Sequence, residues 1–337
     1  MVISFVKEMA CDQWNNFSID NEGSFLQSWE WGNFQKKHKK KIWRLKAIDE
    51  GKIIALVLVT QETFIFKLNH LYIPFGPVYK KGLSDLKKEK ILQLILRSVE
   101  LIAKDQKSIF LKIEPLNSTD PLPKNYKTGK IIKRIQPAKT IILDLTPPLD
   151  RILANFHSRS RYNIKLSTHK GLKIIKSDPG QIKNNQLLFD EFARLMIATG
   201  KRKDFKSYPS QYYQSLFDVL NGRCFIKLFL AQYKTKIIGG NIVVFFGKRA
   251  TALHGAVNYK YRASKVSHFL QWERIKEAKR QGCQEYDFWG IDEKKWPGIT
   301  YFKKTFGGKV LLHPRGTNVI FRKNWYQGYK LSRCLKN

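Results

Sequence analysis

One pattern occurs twice in this chain, and that repetition constrains the fold more than any single motif. Residues 43–79 read as a strand, a turn at Asp49-Glu50-Gly51-Lys52, a strand over 53–60 and a third over 71–73. Residues 225–257 repeat the order: a strand over 225–233, a turn at Lys234-Thr235-Lys236, then strands over 237–246 and 250–257. Lys52-Ile53-Ile54-Ala55 echoes Lys236-Ile237-Ile238-Gly239 at the same point of each copy. β-Branched and aromatic residues between polar turns favour antiparallel strands. Each echo runs on into a helix. Ser84 is suited to cap a helix over 85–104, where Ile91, Leu94, Ile95 and Ile102 share one face. A second helix over 264–281 ends at Gly282, a favourable residue just past a helix end. Strands over 108–114 and 283–291 follow the two helices. Meander, helix, strand, made twice, predicts an α+β duplication and excludes a doubly wound parallel sheet.

The length of 337 residues agrees, being too great for one ordinary core. The Pro-rich stretch Leu145-Thr146-Pro147-Pro148 is the expected start of the second domain. Strands over 310–312 and 318–322 and a short amphipathic helix over 325–335 are expected after it. The duplication resembles two copies of the acyltransferase fold of the GNAT type. The expected division is 1–146 plus 310–337 for the first GNAT-like domain and 147–309 for the second.

Several kinds of chemistry have no motif here. No run of 18 apolar residues could span a bilayer, and the N-terminus lacks the features of a signal peptide, so a cytoplasmic protein is expected. The four cysteines are scattered and the seven histidines show no ligand spacing, which argues against a disulfide framework and a metal site. There is no dinucleotide fingerprint, P-loop, zinc-protease helix or nucleophile elbow. The Arg/Gln-x-x-Gly-x-Gly/Ala loop that cradles the pyrophosphate of coenzyme A is also missing. The formal charge of +35 favours polyanions. Much of it is Lys in an Ile- and Asn-rich chain, so compositional drift competes with function as its cause. Two acid-free basic runs stand out: Lys36 to Lys46, and Arg159 to Lys176.

The stretch from Tyr286 to Gly308 carries the densest chemistry, with Tyr286-Asp287-Phe288-Trp289-Gly290 leading to Phe302-Lys303-Lys304 and Gly307-Gly308. It reads as a strand over 285–291, a polar loop, and an extended segment in which Lys303 and Lys304 face opposite ways. Taken in order with Ser28-Trp29-Glu30-Trp31-Gly32, Leu71 to Pro77, Ser160 to Ile164, His254-Gly255-Ala256 and Gln271-Trp272-Glu273, it resembles the FemABX family. The blocks are collinear and cover nearly the whole chain. No long heptad run occurs in the second half, so the coiled-coil arm of the FemA branch is missing and the compact FemX branch is the nearer one.

The resemblance implies transfer of an amino acid from aminoacyl-tRNA, as co-substrate and without a further cofactor, to a peptidoglycan precursor. The acceptor would be UDP-MurNAc-pentapeptide or lipid II. It implies a monomer, cytoplasmic or peripheral at the inner membrane face. Phe302 and Lys303 match the family's active-site pair, and Glu114 matches an acidic residue at a strand end that could accept a proton. Lys36, with Gln35 competing for its column, and Arg202 match phosphate-binding cations, while His254 and Tyr213 match substrate contacts. Arg161 and Lys165 are candidates for the tRNA backbone. Asp287, Trp289, Trp29 and Trp31 are expected to be structural. Two rivals remain: an acyl-CoA N-acyltransferase, and a non-catalytic protein that binds RNA or a membrane surface.

Overall fold

The computed structural model describes residues 1–5, 9–64, 68–117, 120–121, 125–177, 186–204 and 206–334. The chain begins with β1 (Val2–Phe5), α1 (Cys11–Asp20), α2 (Trp29–Lys37), β2 (Ile42–Asp49), β3 (Lys52–Thr63), β4 (Asn69–Pro74) and β5 (Val78–Tyr79). It continues through α3 (Asp85–Asp105), β6 (Phe110–Glu114) and β7 (Thr128–Lys130). A second series follows: β8 (Lys139–Asp144), α4 (Leu149–Ala154), α5 (Ser158–His169), β9 (Leu172–Ser177), α6 (Gln186–Lys203) and α7 (Ser210–Val219). It goes on as β10 (Cys224–Tyr233), β11 (Lys236–Phe246), β12 (Arg249–Val257), α8 (Val266–Arg280), β13 (Glu285–Asp287), α9 (Pro297–Lys304) and β14 (Lys309–Leu312). β15 (Thr317–Ile320) and α10 (Lys323–Cys334) end the chain; residue 335, the expected last residue of this helix, lies outside the described residues.

Two compact units result, Met1–Ala138 with His313–Asn337, and Lys139–Leu312. In the first unit the sheet order is β1-β2-β3-β4-β6-β15-β7, with β5 paired to β3. In the second it is β14-β8-β13-β12-β11-β10-β9. Both contain the same module: a three-strand antiparallel meander, a helix, and a strand that returns parallel to the third. Those parallel pairs are β4 with β6 and β12 with β13. Parallel neighbours need a crossover, which α3 and α8 supply. This is the α+β, tandem GNAT-like architecture that the repeated pattern predicted, and no coiled-coil arm occurs among the described residues.

Local chemistry explains the elements. The hairpin from β2 to β3 turns through Glu50 at φ 48° and Gly51 at φ 74°, so a left-handed turn sits where Gly is cheapest. The Ser84 side chain accepts from the Lys87 amide at 3.3 Å, capping α3 as expected. Its buried stripe is Ile91, Leu92, Ile95, Leu96, Val99, Ile102 and Ala103, whereas Leu94 is only half-buried. Gly282, at φ 76°, follows the end of α8. Each unit has its own apolar core, around Leu45, Val57, Ile73, Ile95 and Leu111 in one and around Phe156, Phe229, Phe245, Ile275 and Phe306 in the other.

Three expectations need correction. The second unit starts at Lys139, before the prolines, and ends at Leu312. β8 and β14 pair with each other in the second sheet, Lys309 opposite Ile142, so both belong there. Pro148 marks the entry to α4 and not a domain edge. The expected strand over 285–291 stops at Asp287, because Trp289 adopts a left-handed φ of 60° that ends regular pairing. Residues 302 and 303 are helical rather than extended, with Pro297 occupying the first turn of α9 where its missing N–H costs nothing.

Candidate active site

On α9 successive residues are turned by about 100°, and Lys303 and Lys304 point to different sides of the helix. Lys303 turns inward: its Nζ donates to the carbonyl oxygens of Trp289 at 2.9 Å and Gly290 at 2.7 Å. Lys304 turns outward and pairs with Glu293 at 3.1 Å. Burial lowers Lys303 from the ordinary lysine value to about 8; the Asp287 carboxylate opposes that shift and the Arg274 guanidinium adds to it. An ammonium has three N–H donors, so two carbonyl contacts leave one uncommitted. Phe302 anchors the helix from its other side, its ring 5.1 Å from His268 and 5.0 Å from Phe306. Burial brings His268 down to about 4, so this imidazole is neutral packing at physiological pH. Beneath them Arg274, only 6% exposed, donates to the Leu270 carbonyl at 3.1 Å and to the Gln271 side chain.

A second group in the same unit is an aromatic box. Tyr208 and Tyr212 stack at 3.8 Å, and His254 lies 5.5 Å from Tyr213 with their rings edge to face. Burial depresses His254 to about 4 and raises Tyr213 to about 12, so both are neutral across the physiological range. The buried His254 Nε2 has no hydrogen-bond partner among the described residues.

The third group was only half visible in the sequence. The guanidinium carbons of Arg202 and Arg262 each lie 4.7 Å from the centre of the Tyr259 ring. Neither has a carboxylate partner among the described residues. Two like charges brought onto one exposed ring make a natural anion site. Arg202 came from the resemblance, but Arg262 and Tyr259 did not. Their signal was an aromatic-basic run after β12, Tyr259-Lys260-Tyr261-Arg262, which alone resembles any solvated turn.

The first unit holds the other candidates. Lys36 is exposed in the last turn of α2 without an ion pair among the described residues, while Gln35 is 7% exposed and points inward. Of the two, Lys36 is the one that offers its side chain to solvent. Glu114 does not suit a proton acceptor. It is fully buried, and its carboxylate accepts from the Tyr72 hydroxyl at 2.6 Å and the amides of Ile135 at 2.8 Å and Gln136 at 3.0 Å. Such a saturated carboxylate fastens the segment after β7 to the end of β6.

The basic runs also divide. Arg44 is consumed by the fold, stacking 3.7 Å over Trp29 and donating to the Trp29 carbonyl at 2.7 Å. Lys40 pairs with Glu62. In the second run the Nη1 of Arg161 donates to the carbonyls of Ala154 and Phe156, where it closes the end of α4. Lys165 stands exposed on the outer side of α5. Among the described residues no group of His, Cys, Asp and Glu could hold a metal ion, and no helix is long and apolar enough to cross a membrane.

Residues 10–142 match the FemAB family, and residues 158–304 match the acetyltransferase (GNAT) domain. The lipid II:glycine glycyltransferase of Staphylococcus haemolyticus is 23% identical over 70% of this chain and 74% of its own length. That of Staphylococcus epidermidis is 22% identical over 85% of each. Among solved structures, FemX superposes with a TM-score of 0.80 at 19% identity, covering 97% of this chain and 99% of FemX. L-PGS from Bacillus licheniformis reaches 0.56 at 12% identity, covering 94% and 92%. A tandem repeat of one acyltransferase module, the two collinear matches and the FemX-like fold together mark the chain as an acyl- or aminoacyltransferase similar to the FemABX family.

Proposed function

We propose that this protein transfers an aminoacyl group from aminoacyl-tRNA to the peptide-stem amine of a peptidoglycan precursor, building a cross-bridge. The observation that carries this reading is the Lys303 ammonium, packed inward on α9 with one donor left over. An aminoacyl ester is already activated, so the enzyme has no need of its own nucleophile. The acceptor nitrogen attacks the ester carbonyl carbon; the C–N bond forms and the carbonyl oxygen becomes an oxyanion. The C–O bond to the ribose then breaks, and the proton lost by the amine ends on the ribose oxygen. Charge develops first on one oxygen and then on the other, and a cation with a directed N–H lowers the barrier at both.

A lysine with a pKa of about 8 is still mostly ammonium near neutral pH, so it acts as a donor without a prior proton transfer. Arg202 and Arg262 suit the phosphates of a nucleotide- or lipid-linked precursor, and Lys36 is the corresponding cation of the first unit. The neutral box of Tyr208, Tyr212, Tyr213 and His254 suits an uncharged portion of substrate. Lys165 and the overall positive charge suit the tRNA backbone. With a lipid-linked acceptor the same charge would favour an anionic membrane surface.

The test combines purified protein, a mixed pool of charged tRNA, and either UDP-MurNAc-pentapeptide or lipid II, read by mass spectrometry. An added amino-acid residue mass on one acceptor, absent with Lys303→Met, is expected. No added mass from any charged tRNA would sink the proposal, and modification with acetyl-CoA instead would support the acyl-CoA reading.

A further inference from the structure

Asp287 ends β13 with 3% of its surface exposed, and two donors converge on its Oδ1: the Thr140 hydroxyl and, at 2.8 Å, the Trp289 amide. The latter bond closes an Asx turn, a side chain standing in for a backbone acceptor. Inside that turn Trp289 is held at φ 60°. A bulky residue seldom adopts this conformation, which persists only where its surroundings enforce it. The consequence lies one peptide further on, since the carbonyls of Trp289 and Gly290 both turn to Lys303 Nζ. The ammonium is held by a backbone bend, and the bend is held by a carboxylate.

We propose that Asp287 is the positioning residue for Lys303, fixing the ammonium through the Trp289 turn and facing it with a negative charge. This rests on the reading of Lys303 as the group that meets the oxyanion. The charged neighbours that face Lys303 are Asp287 from β13 and Arg274 from α8. The two acids of the loop before α9 are engaged elsewhere: Glu293 with Lys304 and Lys139, and Asp292 with the amides of Lys294 and Lys295. Asp287 therefore opposes both the burial of the ammonium and the like charge of Arg274. Its two contributions are separable. Asp287→Asn keeps an oxygen to accept the Trp289 amide but removes the charge, whereas Asp287→Ala removes both.

The test follows Lys303 directly, with lysine labelled with ¹³C at Cε and the Lys303 signal assigned by its loss in Lys303→Arg. In Asp287→Asn the Lys303 titration should move at least about one pH unit below the wild type, as expected for the loss of a nearby opposite charge. The alkaline limb of kcat/KM should shift with it, and the melting temperature should stay close to wild type. In Asp287→Ala the signal should lose its distinct shift and turnover should fall about a hundredfold. Titration of Lys303 at the wild-type pH in Asp287→Asn, or wild-type turnover in Asp287→Ala, would overturn the proposal. Should the wild type itself transfer nothing, the functional reading fails, while the titration still decides whether Asp287 governs Lys303.

Discussion

Lys227 and Glu277 meet at 2.8 Å inside the second unit, their side chains 7% and 1% exposed. Lys176 at 3.2 Å and Arg280 complete the ring around the same carboxylate. Burial pushes Glu277 up, but the hydrogen bonds from Arg280, Lys227 and Gln281 outweigh it and hold the carboxyl well below the usual carboxylate range. Removing one partner leaves the other buried and unpaired, which typically costs about 3–5 kcal/mol. Glu277→Leu should lower the urea midpoint by a corresponding amount, and adding Lys227→Met should recover much of the loss. The pH dependence follows the same sign. The folded value lies below the unfolded one, so the stabilisation is present above about pH 4 and lost as the pH falls further. Melting curves from pH 6 to 2 should therefore converge for wild type and Glu277→Gln at the acid end.

Replacing Lys303 should affect chemistry more than binding. Lys303→Met is expected to lower kcat by about 10²–10³, the usual loss for one oxyanion donor, with KM little changed. Because the ammonium is the active form, kcat/KM in the wild type should decline as the pH rises through about 8. Lys303→Arg stays charged across that range and should lose the decline while keeping only part of the rate.

Glu114 gives the opposite pattern. With the Tyr72 hydroxyl and the amides of Ile135 and Gln136 all directed at its carboxylate, Glu114→Ala strands buried donors at about 1–3 kcal/mol each. Stability should fall by several kcal/mol, while kcat per folded molecule in Glu114→Gln stays within about twofold of wild type. Loss of turnover in a fully folded Glu114→Gln protein would restore the carboxylate to a chemical role.

Arg202 and Arg262 should act on affinity. Either one changed to Ala should raise KM for a phosphate-bearing acceptor about tenfold or more and leave kcat nearly unchanged, since charge-assisted bonds contribute about 1.5–3 kcal/mol. Changing Tyr259 to Leu should reproduce a smaller part of the effect by freeing both guanidinium groups. Steady-state kinetics at two ionic strengths would separate this from general charge loss.

The duplicated sheets were legible because strand periodicity, polar turns, the Ser84 cap and Gly282 are local signals that agree with one another. α9 was not. Eight residues beginning Pro-Gly offer too little periodicity to outweigh two loop-like residues, yet the Pro in its first turn suits a helix. Lys303 is nevertheless the inward-facing one of the two lysines, through the geometry of a helix and not of a strand. Glu114 misled for a different reason. The amides that saturate it lie about twenty positions further on in an irregular segment that has no sequence signature. The Arg202–Tyr259–Arg262 arrangement joins distant segments, α6 and the turn after β12, and distance in sequence hides such contacts.

The position of β15 has a consequence for how the protein is made. This strand, Thr317–Ile320, lies between β6 and β7, so the first sheet has an internal gap until residues 317–320 are translated. At ordinary elongation rates β6 waits about 10–40 s for its neighbour. The second unit, whose strands all lie within Lys139–Leu312, is complete before the first one is. Biogenesis then runs against the usual N-to-C order, with the earlier-made half finishing last. A message cut short after residue 312 would release an intact second unit joined to a first unit with an open edge at β6, the kind of exposed template that quality control and aggregation both act on.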